Sequence, residues 1–313
     1  MLLKILGKVA SLSVLIGLVS CGSQSTPTQI STSTPSATPS PQKAIVIADV
    51  SNNPAKKIKR FQPMADYLAT NLSEFGIEVG EVKVASDLDT IGSWLKSGEV
   101  DLYFDSPYPA MIVSDKTGAK PILRRWKGGK PDYHTVIFTM SDRGIKSLDD
   151  LKGKMIGFDE ISSTSGFLLP IAYLLNAGLK PVQKSPTNDV VAADEVGYVF
   201  SDDDENTIQW VISDKVAAGA IDVGTFLEVP EESRKAMTIL AETEKVARHV
   251  VMVRADMEPE QVEAIKALLI GMDKTPEGKT ILMEFEETAK FDDFPTQGDI
   301  SKMRELYERV KNR

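Results

Sequence analysis

Short, densely apolar runs rich in β-branched residues alternate with amphipathic stretches along this chain, and that alternation restricts its fold more than any other feature. "AIVIADV" (44–50) shows no polar alternation, so it reads as a strand buried on both faces. Behind it Ile58, Phe61, Ala65, Leu68 and Leu72 recur at three and four residues, the apolar stripe of a helix. "VGEVKVA" alternates as a strand, and Ile91, Trp94 and Leu95 mark a second helix. "VDLYF" is a strand; "SPYPAMIVSDK" opens a helix with proline in its first turn, where the missing N–H is tolerated. "AKPILRR" and "YHTVIFTM" follow as strands. From Gly144 the pattern restarts: a short helix "SLDDLKG", a strand "KMIGF", a helix ending near Gly178, a strand "VGYVFS", a helix from Glu205 to Asp214, a strand and turn "AAGAIDVG", a strand "AMTILAET", then "RHVVMVRAD" and three closing helices. Strands alternating with helices mean an α/β fold with largely parallel sheets.

Two α/β blocks without a polar linker between them predict one domain inserted in another. "YHTVIFTM" and "RHVVMVR" are then the two crossings. The expected division is 44–137 with 250–313 as the first lobe and 138–249 as the second. Ligands of open α/β sheets lie beyond the carboxyl ends of the strands, so two such sheets facing each other enclose the site in the cleft between them.

"ISSTSGFLLP" (161–170) places three hydroxyls, Ser163, Thr164 and Ser165, at the mouth of a helix. A helix start leaves backbone N–H groups without partners and carries partial positive charge, which suits an anion. Gly166 removes a Cβ and allows close approach to the backbone. Pro170 has no N–H to offer the carbonyl of Gly166, so the first turn is expected to be irregular or kinked. Plain N-capping also uses Ser and Thr, but needs only one of them.

The segment "GIKSLDDLKGKMIGFDEISSTSGFLLPIAYLLNAGL" resembles the phosphonate- and phosphite-binding (PhnD-like) proteins of ABC importers. "RFQPMADYLATNL", "SGEVDLYFDSPYPAMIV" and "MEPEQVEAIKALLIGMDKTPEGKTIL" are similar to the same family, so the resemblance runs from about Ala44 to the last helices. It implies the type II periplasmic-binding-protein fold, two α/β lobes joined by two hinge crossings. It also implies a tetrahedral phosphorus oxyanion held by Ser163, Thr164 and Ser165, with Tyr108 at the position of the family's aromatic residue.

A carboxylate beside an oxyanion is useful when the ligand carries a proton: a P–OH donates to Asp or Glu, and a fully ionised sulfate cannot. An ammonium on the ligand would be accepted equally well. Asp105, directly after an apolar strand, Asp204 and Glu205 in "SDDDENT", and Asp222 in "GAIDVG" are the candidates. Helix capping and turn-holding are the alternatives for the last three. The resemblance implies an acid near Glu205, preceded in many relatives by His where this chain has Asp204; many relatives also have an apolar residue or Gly where Asp105 and Ser106 stand. The two histidines, His134 and His249, fall on the proposed crossings, and His134 is the one expected to reach the cleft. "LRRWKGGK" (123–130) is a basic loop, either a solvated hairpin or a contact with the ligand or a transporter subunit.

The net charge of −9 argues against nucleic acid as a partner. No metal-ligand spacing, G-x-S-x-G, phosphate-loop or dinucleotide motif is present, so neither an enzyme nor a cofactor is expected. "MLLKILGKVASLSVLIGLVSCGS" has Lys4 and Lys8, an apolar stretch and small residues before Cys21, and reads as a secretory leader over 1–20. "LVSC" resembles the lipobox of bacterial lipoproteins, which implies lipidation of Cys21, the one cysteine in the chain. The Ser/Thr/Pro segment over 21–43 cannot bury enough apolar area to order itself and reads as a tether. The expectation is a lipid-anchored, extracytoplasmic monomer, periplasmic or on the cell surface. It would hand a phosphonate or phosphite to ABC permease subunits; the alternative is a tethered sensor serving a membrane histidine kinase.

Overall fold

The computed structural model describes residues 43–185 and 187–311. The expected leader over 1–20, Cys21 and all of the tether but Lys43 lie outside the described residues.

The first lobe begins with β1 (Ala44–Val50), α1 (Pro54–Asn71), β2 (Val79–Ala85), α2 (Leu88–Ser97), β3 (Leu102–Asp105), α3 (Pro107–Thr117) and β4 (Lys120–Arg125). The two-residue β5 (Asp132–Tyr133) leads into the second lobe: β6 (Thr135–Met140), β7 (Met155–Phe158), α4 (Leu169–Asn176), β8 (Pro181–Gln183), β9 (Val196–Phe200), α5 (Asp204–Ile212), β10 (Ala218–Asp222), α6 (Val223–Glu228), α7 (Glu231–Lys235) and β11 (Met237–Glu242). Then β12 (Val246–Ala247) brings the chain back to β13 (His249–Val253), α8 (Pro259–Gly271), α9 (Pro276–Glu284), β14 (Phe291–Asp292) and α10 (Gln297–Lys311).

Each lobe holds one six-stranded sheet, in the orders β14-β4-β13-β3-β1-β2 and β11-β6-β10-β7-β9-β8. In the first, β1 pairs in parallel with β2 and β3, while β13 runs antiparallel between β3 and β4. The carboxyl ends of β1 and β3 therefore share an edge with the start of β13. In the second, β7, β8, β9 and β10 are parallel and β6 is antiparallel to β10. The apolar stripe of α1 is buried through Phe61, Met64 and Leu68, all at 0% exposure. Burial of each such side chain contributes about 1.5–3 kcal/mol. A Cβ at Gly80 would stand 2.3 Å from the Ala65 carbonyl, so only glycine lets β2 approach α1 this closely.

The strands read as crossings belong to one sheet each. All six residues of β6 lie in the second sheet, so position 137 falls inside a strand of that lobe, and β13 lies wholly in the first. The chain passes between lobes on the short ribbon formed by β5 and β12, with Tyr133 opposite Val246 and Asp132 opposite Ala247. α10 belongs to neither lobe alone: it packs on α3 of the first and on α4 of the second. Its Met303, Leu306 and Tyr307 join one apolar cluster that runs through both lobes.

Candidate functional site

A cavity of about 950 Å³ opens between the lobes. The first lobe contributes the edge formed by the ends of β1 and β3, with Asp49, Asp105, Tyr108 and His249; the second contributes Glu160 to Ser163. The cavity thus lies beyond the carboxyl ends of the parallel strands β1 and β3, where open α/β sheets offer room for a ligand.

The hydroxyl run folds as a single π-helical turn over Thr164–Leu168 rather than as the first turn of an α-helix. Leu168 N–H reaches back five residues to the carbonyl of Ser163 at 3.0 Å. The cause is Pro170: the Gly166 carbonyl, deprived of its helical donor, accepts from Asp159 N–H at 3.2 Å instead. Gly166 is required here, because a Cβ would lie 2.3 Å from that of Asp159.

The three hydroxyls have different surroundings. Ser163 lines the cleft and its Oγ accepts from Gly166 N–H at 2.9 Å. Thr164 is 1% exposed and reaches the other lobe. Its Oγ1 accepts from Tyr108 N–H at 2.9 Å and donates to Ser106 Oγ at 2.9 Å. Ser165 is buried, and its carbonyl accepts from Thr135 Oγ1 at 2.6 Å. The N–H groups of Thr164 and Ser165 find no acceptor among the described residues. The contact of Thr164 closes the lobes directly onto each other at the start of α3. That start is short of donors of its own, since Pro107 and Pro109 flank Tyr108. The Tyr108 ring packs at 6.0 Å from Phe167 and 6.2 Å from Tyr307, fixing this meeting point in apolar surroundings.

The acids divide into two groups. On the first lobe, Asp105 accepts from the Tyr103 hydroxyl and from Ser106 N–H, and Asp49 accepts from Lys57 Nζ at 2.7 Å. Burial raises both carboxyls, that of Asp49 to about 6. On the second lobe, Asp159 stands against the π-turn and is raised to about 6, chiefly by burial and further by Glu160 and neighbouring aspartates, although the Ser163 hydroxyl hydrogen-bonds it. Asp204 is raised to about 7 by burial, then by Asp159 and Asp222. One oxygen each of Asp204 and Asp222 is buried without a partner. Asp222 also caps α6 through Gly224 N–H at 2.7 Å.

Of the expected residues, Ser163, Tyr108 and Asp105 line this cavity; Thr164 and Ser165 lie buried behind it, Asp222 lines a neighbouring cavity, and Glu205 and His134 line neither. Glu205 is exposed on the outer side of α5, because Asp203 is the N-cap and the helix turns Asp204 inward. His134 meets Glu242 at 3.2 Å, near the crossing ribbon. His249 is the histidine at the cleft, 7% exposed, its Nδ1 without a partner. Burial, then Lys127, Arg125, Arg248 and Lys57, hold it well below the ordinary histidine range, so it is neutral. Asp49 and Asp159 were not singled out from the sequence, yet each ends or follows a buried strand just as Asp105 does. Lys127, from the basic loop, lines this cavity and a neighbouring one. Among the described residues no group of His, Cys, Asp and Glu is arranged to hold a metal ion, and no helix is long and apolar enough to cross a membrane.

Two sheet-bearing lobes, a double-stranded crossing and a polar cleft at the strand ends define the type II periplasmic-binding-protein class. More specifically, the sequence profile of the family described as "ABC transporter, phosphonate, periplasmic substrate-binding protein" matches residues 48–295, and the chain belongs to that family. Its members bind substrates for transport and are not enzymes. The phosphate-import protein PhnD of Mycolicibacterium smegmatis is 35% identical over 114 residues, a match that spans 35% of each chain and so about a third of that relative's length. XAC2383 from Xanthomonas citri, solved bound to chloride ion, superposes with a TM-score of 0.79 at 28% identity, covering 86% of this chain and 99% of that one. The same protein bound to ATP gives 0.78 at 27%, covering 86% and 98%. PhnD1 from Prochlorococcus marinus, in complex with methylphosphonate, shares the fold with a TM-score of 0.61 at 18% identity, covering 87% and 100%.

Proposed function

We propose that this protein is the solute-binding subunit of an ABC importer and that it holds a phosphorus oxyanion bearing a P–OH, such as a phosphonate or phosphite, in the cleft between its lobes. The observation that carries this reading is the contact of Thr164 with Ser106 and Tyr108 N–H. Donors from both lobes converge at one point, beside the two unengaged N–H groups of the π-turn. An oxyanion inserted there replaces a neutral contact by charge-assisted ones and joins the lobes through itself. Ser163, Thr164 and Tyr108 are its proposed direct contacts, and Ser165 contributes through its N–H.

Asp159, with Asp204 behind it, is the proposed reader of the ligand's proton. Asp105 instead orders the start of α3, since both of its oxygens already accept hydrogen bonds within the first lobe. A protonated phosphonate can donate to Asp159, whereas sulfate leaves two like charges face to face. Permease subunits as partners, a monomeric state and anchoring through a lipid on Cys21 belong to the same proposal. Calorimetric titration of residues 44–313 with methylphosphonate, phosphite and sulfate tests it. Methylphosphonate or phosphite binding at least tenfold tighter than sulfate supports the reading; equal affinities, or no binding of either phosphorus anion, contradict it.

A further inference from the structure

The cleft has a second compartment. A cavity of about 510 Å³ adjoins the first and shares Lys127 with it. It is lined from the first lobe by Arg60, the loop Lys127 to Lys130 and Glu286, from the crossing by Arg248, and from the second lobe by the turn Asp222 to Thr225. The proposed binding of a one-centre oxyanion at the π-turn has no use for it.

Its cations are not equally engaged. Lys127 pairs with Glu286 at 3.2 Å, and Glu286 is also held by Lys57 and Arg125, so that acid is saturated. Lys130 and Arg248 have no carboxylate within ion-pair distance among the described residues. The Lys130 Nζ reaches across to the second lobe and sits 2.5 Å from where a Cβ of Gly224 would be, so the absence of a side chain there makes room for it. The Arg248 guanidinium lies 4.4 Å from the centre of the Tyr133 ring, and among the described residues its N–H groups have no hydrogen-bond partner. Of the acids facing this space, Asp222 has one oxygen engaged by Gly224 and Thr225 N–H and the other without a partner, while Glu228 and Glu287 are exposed at the rim. Lys130 and Arg248 are thus cations of this compartment that no carboxylate of the described residues pairs with. His249 is held neutral first by its burial, and Lys127, Arg125 and Arg248 add to that.

We infer that Lys130 and Arg248 form a subsite for a second oxyanion, a carboxylate or phosphate carried on the same molecule as the phosphoryl group. The ligand class is then an extended organic phosphonate or phosphate ester with two anionic ends. Its phosphoryl group lies at the π-turn, and its far group passes Lys127 into the second compartment. A planar guanidinium edge takes a carboxylate or phosphate through two parallel hydrogen bonds, and Lys130 closes the subsite from the opposite side. This inference rests on the proposed binding of a phosphorus oxyanion in the cleft.

The experiment compares ω-carboxyalkylphosphonates of two to six methylenes with alkylphosphonates of equal length by calorimetry, in the wild type, in Lys130→Gln, and in Lys130→Gln with Arg248→Met. At least one carboxylated member is expected to bind tenfold or more tightly than its uncharged counterpart. The double variant should bring the two to the same affinity, and Lys130→Gln alone, on an exposed loop, should take part of the gain. No gain at any length, or a gain that survives in both variants, overturns the subsite while leaving the phosphoryl site intact. Failure of both series to bind removes the proposed function and this inference with it.

Discussion

Replacing Ser163 by alanine and Thr164 by valine removes two hydroxyls and no apolar bulk beyond them. In the structure the Thr164 hydroxyl makes two neutral hydrogen bonds, with Tyr108 N–H and Ser106 Oγ, both at 2.9 Å. A neutral bond contributes about 1 kcal/mol net, so losing the pair weakens this arrangement by about 2 kcal/mol and frees Tyr108 N–H for the ligand. That change alone favours binding. Against it, each hydroxyl that donates to an anionic oxygen contributes about 1.5–3 kcal/mol, so the two together withdraw about 3–6 kcal/mol from the complex. The loss wins by about 1–4 kcal/mol, which is roughly fivefold to several hundredfold in dissociation constant. Calorimetry with methylphosphonate reads it, and thermal melting confirms that the variant folds despite the lost cap at Gly166 N–H. An affinity within twofold of the wild type, in a variant that melts normally, refutes the claim that these hydroxyls hold the anion.

Asp159→Asn should narrow the preference for methylphosphonate over sulfate to less than a third of its wild-type value, since the amide no longer repels an unprotonated anion; titrations of both anions give the ratio. Asp204, about 7 in the fold against 3.8 unfolded, penalises the fold while ionised, and the penalty fades as pH falls through 7. His249, neutral in the fold, acts oppositely once its unfolded form gains a proton near 6.5. Unfolding in urea should therefore show stability rising by about 1 kcal/mol from pH 8 to about 6.5, with most of the rise absent in Asp204→Asn. In X-ray scattering the Ser163→Ala, Thr164→Val variant should have a larger radius of gyration than the wild type when empty, because the bridge between lobes is lost; identical curves would show that Thr164 does not help hold them shut.

Much of the fold could be read directly from the residues. Buried runs such as "AIVIADV" and "KMIGF" have no other home than a covered sheet, and the restart near Gly144 separates two blocks. The crossing was misplaced onto β6 and β13 because a two-residue strand such as β5 or β12 carries no periodicity; those strands form only because two passing segments meet. The apolar stripe of α10 announces a buried face but not that it rests on both lobes. At the site, the consequence of Pro170 was legible because it depends on a single missing N–H. Asp105 was legible as an acid ending an apolar strand, and the same rule applied to "AIVIADV" and "KMIGFD" yields Asp49 and Asp159. The choice between Asp204 and Glu205 was not, since one residue turns a helical side chain by about 100° and the cap at Asp203 sets the phase. Nor was the bond from Thr164 to Tyr108 N–H, which spans 56 positions and exists only where the lobes close.

The most direct test is a crystal structure of residues 44–313 grown with methylphosphonate. The account predicts phosphorus in the cleft, its oxygens within hydrogen-bond distance of Ser163 Oγ, Thr164 Oγ1 and Tyr108 N–H, with the direct bond between Thr164 and Tyr108 N–H replaced by the ligand. A phosphonate bound elsewhere on the molecule, or one in the cleft with that bond intact and no contact to the π-turn, contradicts it.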